Sequence, residues 1–208
     1  MLSYNNLFYE FETIHLVTNY FNKGDLLKII TKGNLICENR IWSILIQVGF
    51  AIEYLHFHNI IHRDIKPANI YLDGEDNVVL GDYGICKIDT NAYYNTQIGT
   101  PLYMSPEIIK SGSYSKKTDI WSYGCTLYEL VMLRPPFTGR NIFSLNRNIE
   151  RKKINQDIKE SKYSRDLIVY IEFCMEKYES KRPSIDSLMH LKCISEHLYL
   201  IPYKFEKK

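Results

Sequence analysis

No run in this sequence reaches the roughly 20 apolar residues that a membrane-spanning helix needs. The opening residues, Met1-Leu2-Ser3-Tyr4-Asn5-Asn6, lack a basic region followed by an apolar one, so neither secretion nor membrane insertion is indicated. The five cysteines, Cys37, Cys86, Cys125, Cys174 and Cys193, form no C-x-x-C pair and no metal-ligand spacing. That excludes a clustered zinc or redox motif and predicts reduced, mostly buried thiols in the cytoplasm or nucleus. Basic residues do not gather into an arm and the net charge is only +2, so nucleic acid is not an expected partner. There is no internal repeat and no low-complexity linker. There is also no G-x-G-x-x-G anywhere, and no lysine before Lys23.

What is present suits one globular domain with a substantial core: 208 residues, 45% hydrophobic and 24% charged. Leu7 to Phe11 and Ile14 to Tyr20 are rich in aromatic and β-branched residues and read as two strands around a turn at Glu12-Thr13. Asp25 can cap a short helix from Leu26 to Lys32 that Gly33 ends. From Arg40 to His56, Ile41, Ile44, Leu45, Val48, Ile52 and Leu55 recur at helical spacing, and Asn59 is suited to close that helix. A second strong helix runs from Asp119 to Met132. Further helices are expected at Asn141 to Arg151, Ser164 to Met175 and Ser184 to His190.

The stretch with the most chemical content is His62-Arg63-Asp64-Ile65-Lys66-Pro67-Ala68-Asn69. It has the form H-R-D-x-x-x-x-N, in which a carboxylate takes the proton of an attacking hydroxyl and an amide five positions on holds magnesium. Asp82-Tyr83-Gly84 follows, an aspartate in the place of a second metal ligand. Then come Gly99-Thr100-Pro101-Leu102-Tyr103-Met104-Ser105-Pro106-Glu107, Asp119-Ile120-Trp121-Ser122-Tyr123-Gly124, Arg134-Pro135-Pro136-Phe137 and Arg182-Pro183-Ser184. In that order, these motifs make the chain resemble a eukaryotic protein kinase from about residue 7 to residue 194. Lys66 and Thr100 point to the Ser/Thr class. The string from His62 to Asp73, with Gly81 and the Gly-Thr-Pro-x-Tyr-Met-Ser-Pro-Glu run, is most similar to the NIMA-related (Nek) kinases.

The resemblance implies an α+β, protein-kinase-like fold, mainly the helical C-terminal lobe. Residues 1–22 would be a remnant of the N-terminal lobe and hinge, 23–194 the C-terminal lobe, and 195–208 a tail. It implies ATP and Mg2+ as cofactors and a protein as substrate. Asp64 and Lys66 take the catalytic roles, and Asn69 and Asp82 are the metal ligands. Thr18 falls at the gatekeeper position, Asn19 and Phe21 in the hinge, Asp25 at the start of the following helix, and Leu72 under adenine. Thr96 is either an activating phosphate acceptor, with Arg63 and Lys87 as its partners, or an unmodified loop threonine. Thr100 braces Asp64 and Lys66. Asp119 holds the catalytic-loop backbone, and Glu107 with Arg182 forms a buried ion pair. Tyr83 packs on His62, and its hydroxyl needs a partner. His56, His58 and His62 are read as structural, not as metal ligands.

In a full kinase a Gly-rich loop, a strand lysine and a helix glutamate precede these elements. Losing one preorganised contact to a transition state costs about 10²–10³ in rate. Two such losses from a turnover of about 1–100 per second leave on the order of one event per minutes to days. The two lone strands also leave open edges, and a partner is expected to cover them. Three readings follow: an active Ser/Thr kinase completed by residues upstream or on another chain, a kinase-like binding module, and a truncated product.

Overall fold

The computed structural model describes residues 4–84, 86–88, 101–159 and 161–201. Strands β1 (Tyr4–Glu10) and β2 (Thr13–Thr18) form an antiparallel hairpin in which Leu7 faces Leu16 and Glu10 faces Thr13. The turn is Phe11-Glu12, not Glu12-Thr13, and both residues have positive φ, 49° and 58°. A two-residue hairpin turn takes that left-handed form because it matches the strand twist. The second strand ends at Thr18, short of Tyr20.

Asp25 starts α1 (Leu26–Thr31) by accepting the Lys28 amide at 2.8 Å, and Gly33, at φ 71°, ends it. Helix α2 (Glu38–Phe57) begins two residues before the periodicity suggests. Its N-cap Cys37 makes no side-chain cap, so bonds to the Glu38 carboxylate, from Trp42 Nε1 one turn on at 3.1 Å and from the distant Ser164 amide at 2.9 Å, fix that end. Asn59, at φ 57°, closes the other end. Three short strands follow a pattern the sequence does not announce: β3 (Gly24–Asp25), β5 (Ile70–Leu72) and β6 (Val78–Leu80) form one antiparallel sheet in the order β3-β5-β6. The strands β4 (Ile60–Ile61) and β7 (Lys87–Ile88) pair separately and bracket the catalytic stretch.

The remaining helices are α3 (Pro106–Ser111), α4 (Lys116–Met132), α5 (Ile142–Arg151), α6 (Ile154–Ile158), α7 (Arg165–Cys174), α8 (Ile185–Met189) and α9 (Lys192–His197). Ser115 and Thr118 form a capping box that starts α4 before Asp119, and Asn141, Ser164 and Ser184 cap α5, α7 and α8. Helix α4 is buried along nearly its whole length. Gly124 lets α7 cross it closely, since a Cβ there would lie 2.6 Å from the Cys174 Cβ. Trp121 stacks on Phe137 at 5.6 Å, and α2, α4, α7 and α8 share one continuous apolar core. Among the described residues no helix is long and apolar enough to cross a membrane.

Candidate active site

Helix α4 organises the site through one buried carboxylate. Asp119 accepts the His62 amide at 2.9 Å on Oδ2 and the Arg63 amide at 2.9 Å on Oδ1, and His56 Nε2 lies 2.8 Å from Oδ2. Burial pushes the Asp119 carboxyl up, but the hydrogen bonds and charge of the surrounding imidazoles outweigh it and hold the group below the usual carboxylate range. Those bonds pin Arg63 at φ 70°, a conformation that non-glycine residues seldom adopt.

The pinned turn buries His62 fully and leaves Asp64 about 9% exposed. His62 is fully buried, with Nε2 3.0 Å from the Gly81 carbonyl and Nδ1 3.3 Å from the Asp64 amide that donates to it. Burial lowers its pKa despite nearby carboxylates that raise it. Lys66 Nζ donates to Asp64 Oδ2 at 2.6 Å, and Asn69 Nδ2 donates to the same oxygen at 2.9 Å and to the Asp64 carbonyl at 2.8 Å. Three expected residues therefore meet at one carboxylate. The three-residue helical turn Pro67–Asn69 sets the Asn69 spacing.

Asp82 is tied to this cluster through the backbone, because His62 holds Gly81 and the Gly81 amide donates to the Asn69 carbonyl at 2.9 Å. Asp82 is exposed and has φ 61°. Tyr83 lies edge-on to His62 at 5.3 Å, and its hydroxyl finds the Leu80 carbonyl at 2.5 Å, which meets the requirement for a partner. Cys86 donates to the His62 carbonyl at 3.5 Å. Burial and the Asp119 charge push its thiol up to about 12, so it stays protonated.

The other expected residues are spread more widely. Thr18 donates from its hydroxyl to the Asn19 carbonyl at 3.3 Å, Asn19 accepts from Asn5 at 2.8 Å, and Phe21 stacks on Tyr71 at 5.5 Å. Asp25 is engaged as the α1 cap, and Leu72 is fully enclosed by the core. Thr96 and Thr100 lie outside the described residues, as does the side chain of Lys87. The Arg63 guanidinium lies over the Tyr114 ring at 5.5 Å. Glu107 and Arg182 form the expected pair, two-pronged at 2.7 and 3.1 Å, with Arg182 fully buried over Trp121.

Two polar contacts escaped the sequence. His56 sits at a helix end like His58, and only the tertiary fold turns it onto Asp119 while His58 bonds the Tyr54 carbonyl at 2.8 Å. Tyr103, in the turn before α3, donates to Glu129 of α4 at 2.6 Å, and burial raises both their pKa values. A cavity of about 730 Å3 lined by Ile36, Cys37, Leu133, Arg134 and Tyr163 lies at the far end of α4. It is about 20 Å along the helix from Asp119 and separate from the polar cluster.

Comparison with known proteins matches the arrangement. The protein kinase domain model covers residues 1–194. Human serine/threonine-protein kinase Nek2 is 37% identical over 196 residues, which are 88% of this chain and 43% of that protein. The G2-specific protein kinase fin1 of Schizosaccharomyces pombe is 34% identical, over 89% of this chain and 29% of its own length. A probable serine/threonine-protein kinase nek2 of Dictyostelium discoideum is 35% identical, over 88% and 45%. The chain thus spans less than half the length of these curated relatives, and the Nek2 proteins among them are NIMA-related Ser/Thr kinases. On the match across residues 1–194, this chain belongs to the protein kinase domain family.

Proposed function

We propose that this chain transfers the γ-phosphoryl group of ATP to a serine or threonine hydroxyl of a protein. The carrying observation is the convergence of Lys66 and Asn69 on one oxygen of Asp64, at 2.6 and 2.9 Å. Two donors on that oxygen fix the carboxylate, so Asp64 can orient the incoming hydroxyl and take its proton. Lys66 puts a positive charge beside the same carboxylate, where negative charge on the transferred group needs stabilising. Asn69 and Asp82 would hold magnesium. An amide and a carboxylate are the oxygen donors that ion takes, and among the described residues no cation pairs with Asp82. Bound magnesium neutralises phosphate charge during transfer.

Thr18, Asn19, Phe21 and Leu72 are assigned to the adenine side, with Asp25 at its edge. Arg63 and Lys87 are assigned to a phosphate on Thr96, and Thr100 to bracing Asp64 and Lys66. The division into 1–22, 23–194 and 195–208 is part of the same reading. So is a further protein surface over the hairpin, where Leu7, Tyr9, Ile14 and Leu16 are all exposed.

Phosphate transfer from labelled Mg-ATP to a generic protein substrate tests the reading. Asp64→Asn keeps the shape of the cluster and removes the base, and transfer should fall by about 10²–10⁴. No transfer by the unaltered chain, or equal transfer by Asp64→Asn, overturns it.

A further inference from the structure

Charge is distributed unevenly along this chain. Between positions 140 and 153 stand five cations, Arg140, Arg147, Arg151, Lys152 and Lys153, against one anion, Glu150. That is a net +4, while the whole chain carries +2. A run of charge is usually a solvated face, and the partners at each position decide whether this one is more. Lys110 pairs with Glu150 at 3.0 Å and Asp157 takes Lys152 at 2.6 Å. Among the described residues, Arg140, Arg147, Arg151 and Lys153 form no ion pair. The only local anion is therefore already neutralised. Lys177 adds a further cation at this end of α5, bonded to the Glu150 and Lys152 carbonyls at 2.8 and 2.9 Å.

The geometry of α5 puts these cations around an aromatic ring. Leu145 and Ile149 face the core, and the helical period brings Phe143, Arg147 and Arg151 onto the opposite face, with Arg140 exposed just before the N-cap Asn141. Phe143 is 81% exposed. Helix α5 also connects to the candidate active site. Its Ile142 packs on the cluster of Met104, Ile108 and Tyr114, and the Tyr114 ring lies under Arg63, the neighbour of Asp64.

We propose that the outer face of α5, built from Arg140, Phe143, Arg147 and Arg151 with Lys153 beside it, docks an acidic segment of the protein substrate. The inference rests on the reading of the chain as a protein kinase and adds the class of substrate it recognises. From Phe143 to Arg151 the helical part of the face is about 12 Å long, a span that about four residues of extended peptide cover, and Arg140 extends it beyond the N-cap. The matching segment carries carboxylates on both sides of one apolar or aromatic side chain that covers Phe143. Arginine suits this role because its planar fork takes a carboxylate two-pronged. A single ring among the cations favours a peptide over single-stranded nucleic acid, which is bound on a row of aromatics.

The test is direct binding of a fluorescent peptide, a phenylalanine flanked by aspartates and glutamates, to the full chain by anisotropy. Binding should weaken from low to physiological salt. Arg140→Glu with Arg147→Glu should weaken it about tenfold or more. Phe143→Ala should weaken it about threefold to tenfold. Both variants should melt with the parent, because all three side chains are exposed. Absence of binding, indifference to the charge reversal, or displacement of the peptide by a lower concentration of an oligonucleotide of equal charge overturns the proposal. Binding does not need phosphoryl transfer, so Asp64→Asn should bind the peptide as the parent does. A failure of docking is thereby told apart from a failure of the kinase reading.

Discussion

The β1–β2 hairpin and the catalytic loop both carry non-glycine residues at positive φ, but their surroundings differ. At the loop, Arg63 and Asp82 adopt φ of 70° and 61°. Their neighbourhood is held by the buried residues Asp119, His56 and His62, with the His56 ring and the His62 and Arg63 amides all bonded to Asp119. At the hairpin, Phe11 and Glu12 adopt φ of 49° and 58°, and among the described residues the strands pair only with each other. Phe11 and Tyr20 are 89% and 88% exposed. A left-handed non-glycine residue costs about 1–2 kcal/mol. Around α4 buried hydrogen bonds offset that cost, whereas at the hairpin only the turn and the ladder do. Strain at the loop is thus a fixed feature of the fold, and strain at the hairpin is a local one.

The largest effect that would separate the two regions is expected at Arg182. Its guanidinium is fully buried, bonded to Glu107, to the Lys117 carbonyl at 2.8 Å and to the Glu176 carbonyl at 2.9 Å. Arg182→Met leaves the Glu107 carboxylate without its partner and should cost about 3–5 kcal/mol. The matching change in the hairpin, Phe11→Ser, should shift stability by about 0.5 kcal/mol or less. Urea unfolding of the two variants checks both figures. Similar losses would mean that the hairpin belongs to the same cooperative unit as the core.

The same contrast explains how much could be read in advance. The helices of the core were legible because their apolar residues recur at helical spacing and because Asn141, Ser164 and Ser184 mark starts by side chain alone. Asp64, Lys66 and Asn69 were legible because they lie within six residues, and one helical turn brings them together. The β3-β5-β6 sheet was not, since two- and three-residue strands carry no alternation to detect. Helices α6 and α9 have no side-chain cap to announce them. The pairing of His56 with Asp119 joins residues 63 positions apart, and only packing of α2 on α4 creates it. The exposure of the hairpin's apolar residues also depends on what packs there, which strand patterning does not state.

A smaller effect comes from pH, and the loop contributes to it through His62, while Glu129, whose pKa burial raises, acts in the opposite sense above its free value. Burial lowers the pKa of His62 below its free value of about 6.5. Between those two values the unfolded chain binds more protons than the folded one, so stability is lost as pH falls below about 6.5. Asp119, held below its free value, acts in the same direction but only below about pH 4. Urea midpoints measured from about pH 7 to about pH 5 should therefore decline, and His62→Gln should flatten that decline. An unchanged slope in the variant would move the effect to other groups.

The smallest expected effect on global stability, and the sharpest test of the contrast, is at the hairpin turn. Replacing Phe11-Glu12 by Asn-Gly supplies the residues that a type I′ turn prefers and removes strain of about 1–2 kcal/mol per residue. If the hairpin opens independently of the core, that gain stays local. Amide exchange should then slow in the ladder from Leu7 to Leu16, which pair directly, while the urea midpoint stays within error of the parent. If the midpoint rises with the protection, the hairpin unfolds together with the catalytic loop. The strain at Phe11 and Glu12 would then bear on the site after all, and the hairpin would have to be counted as part of the framework that positions Asp64.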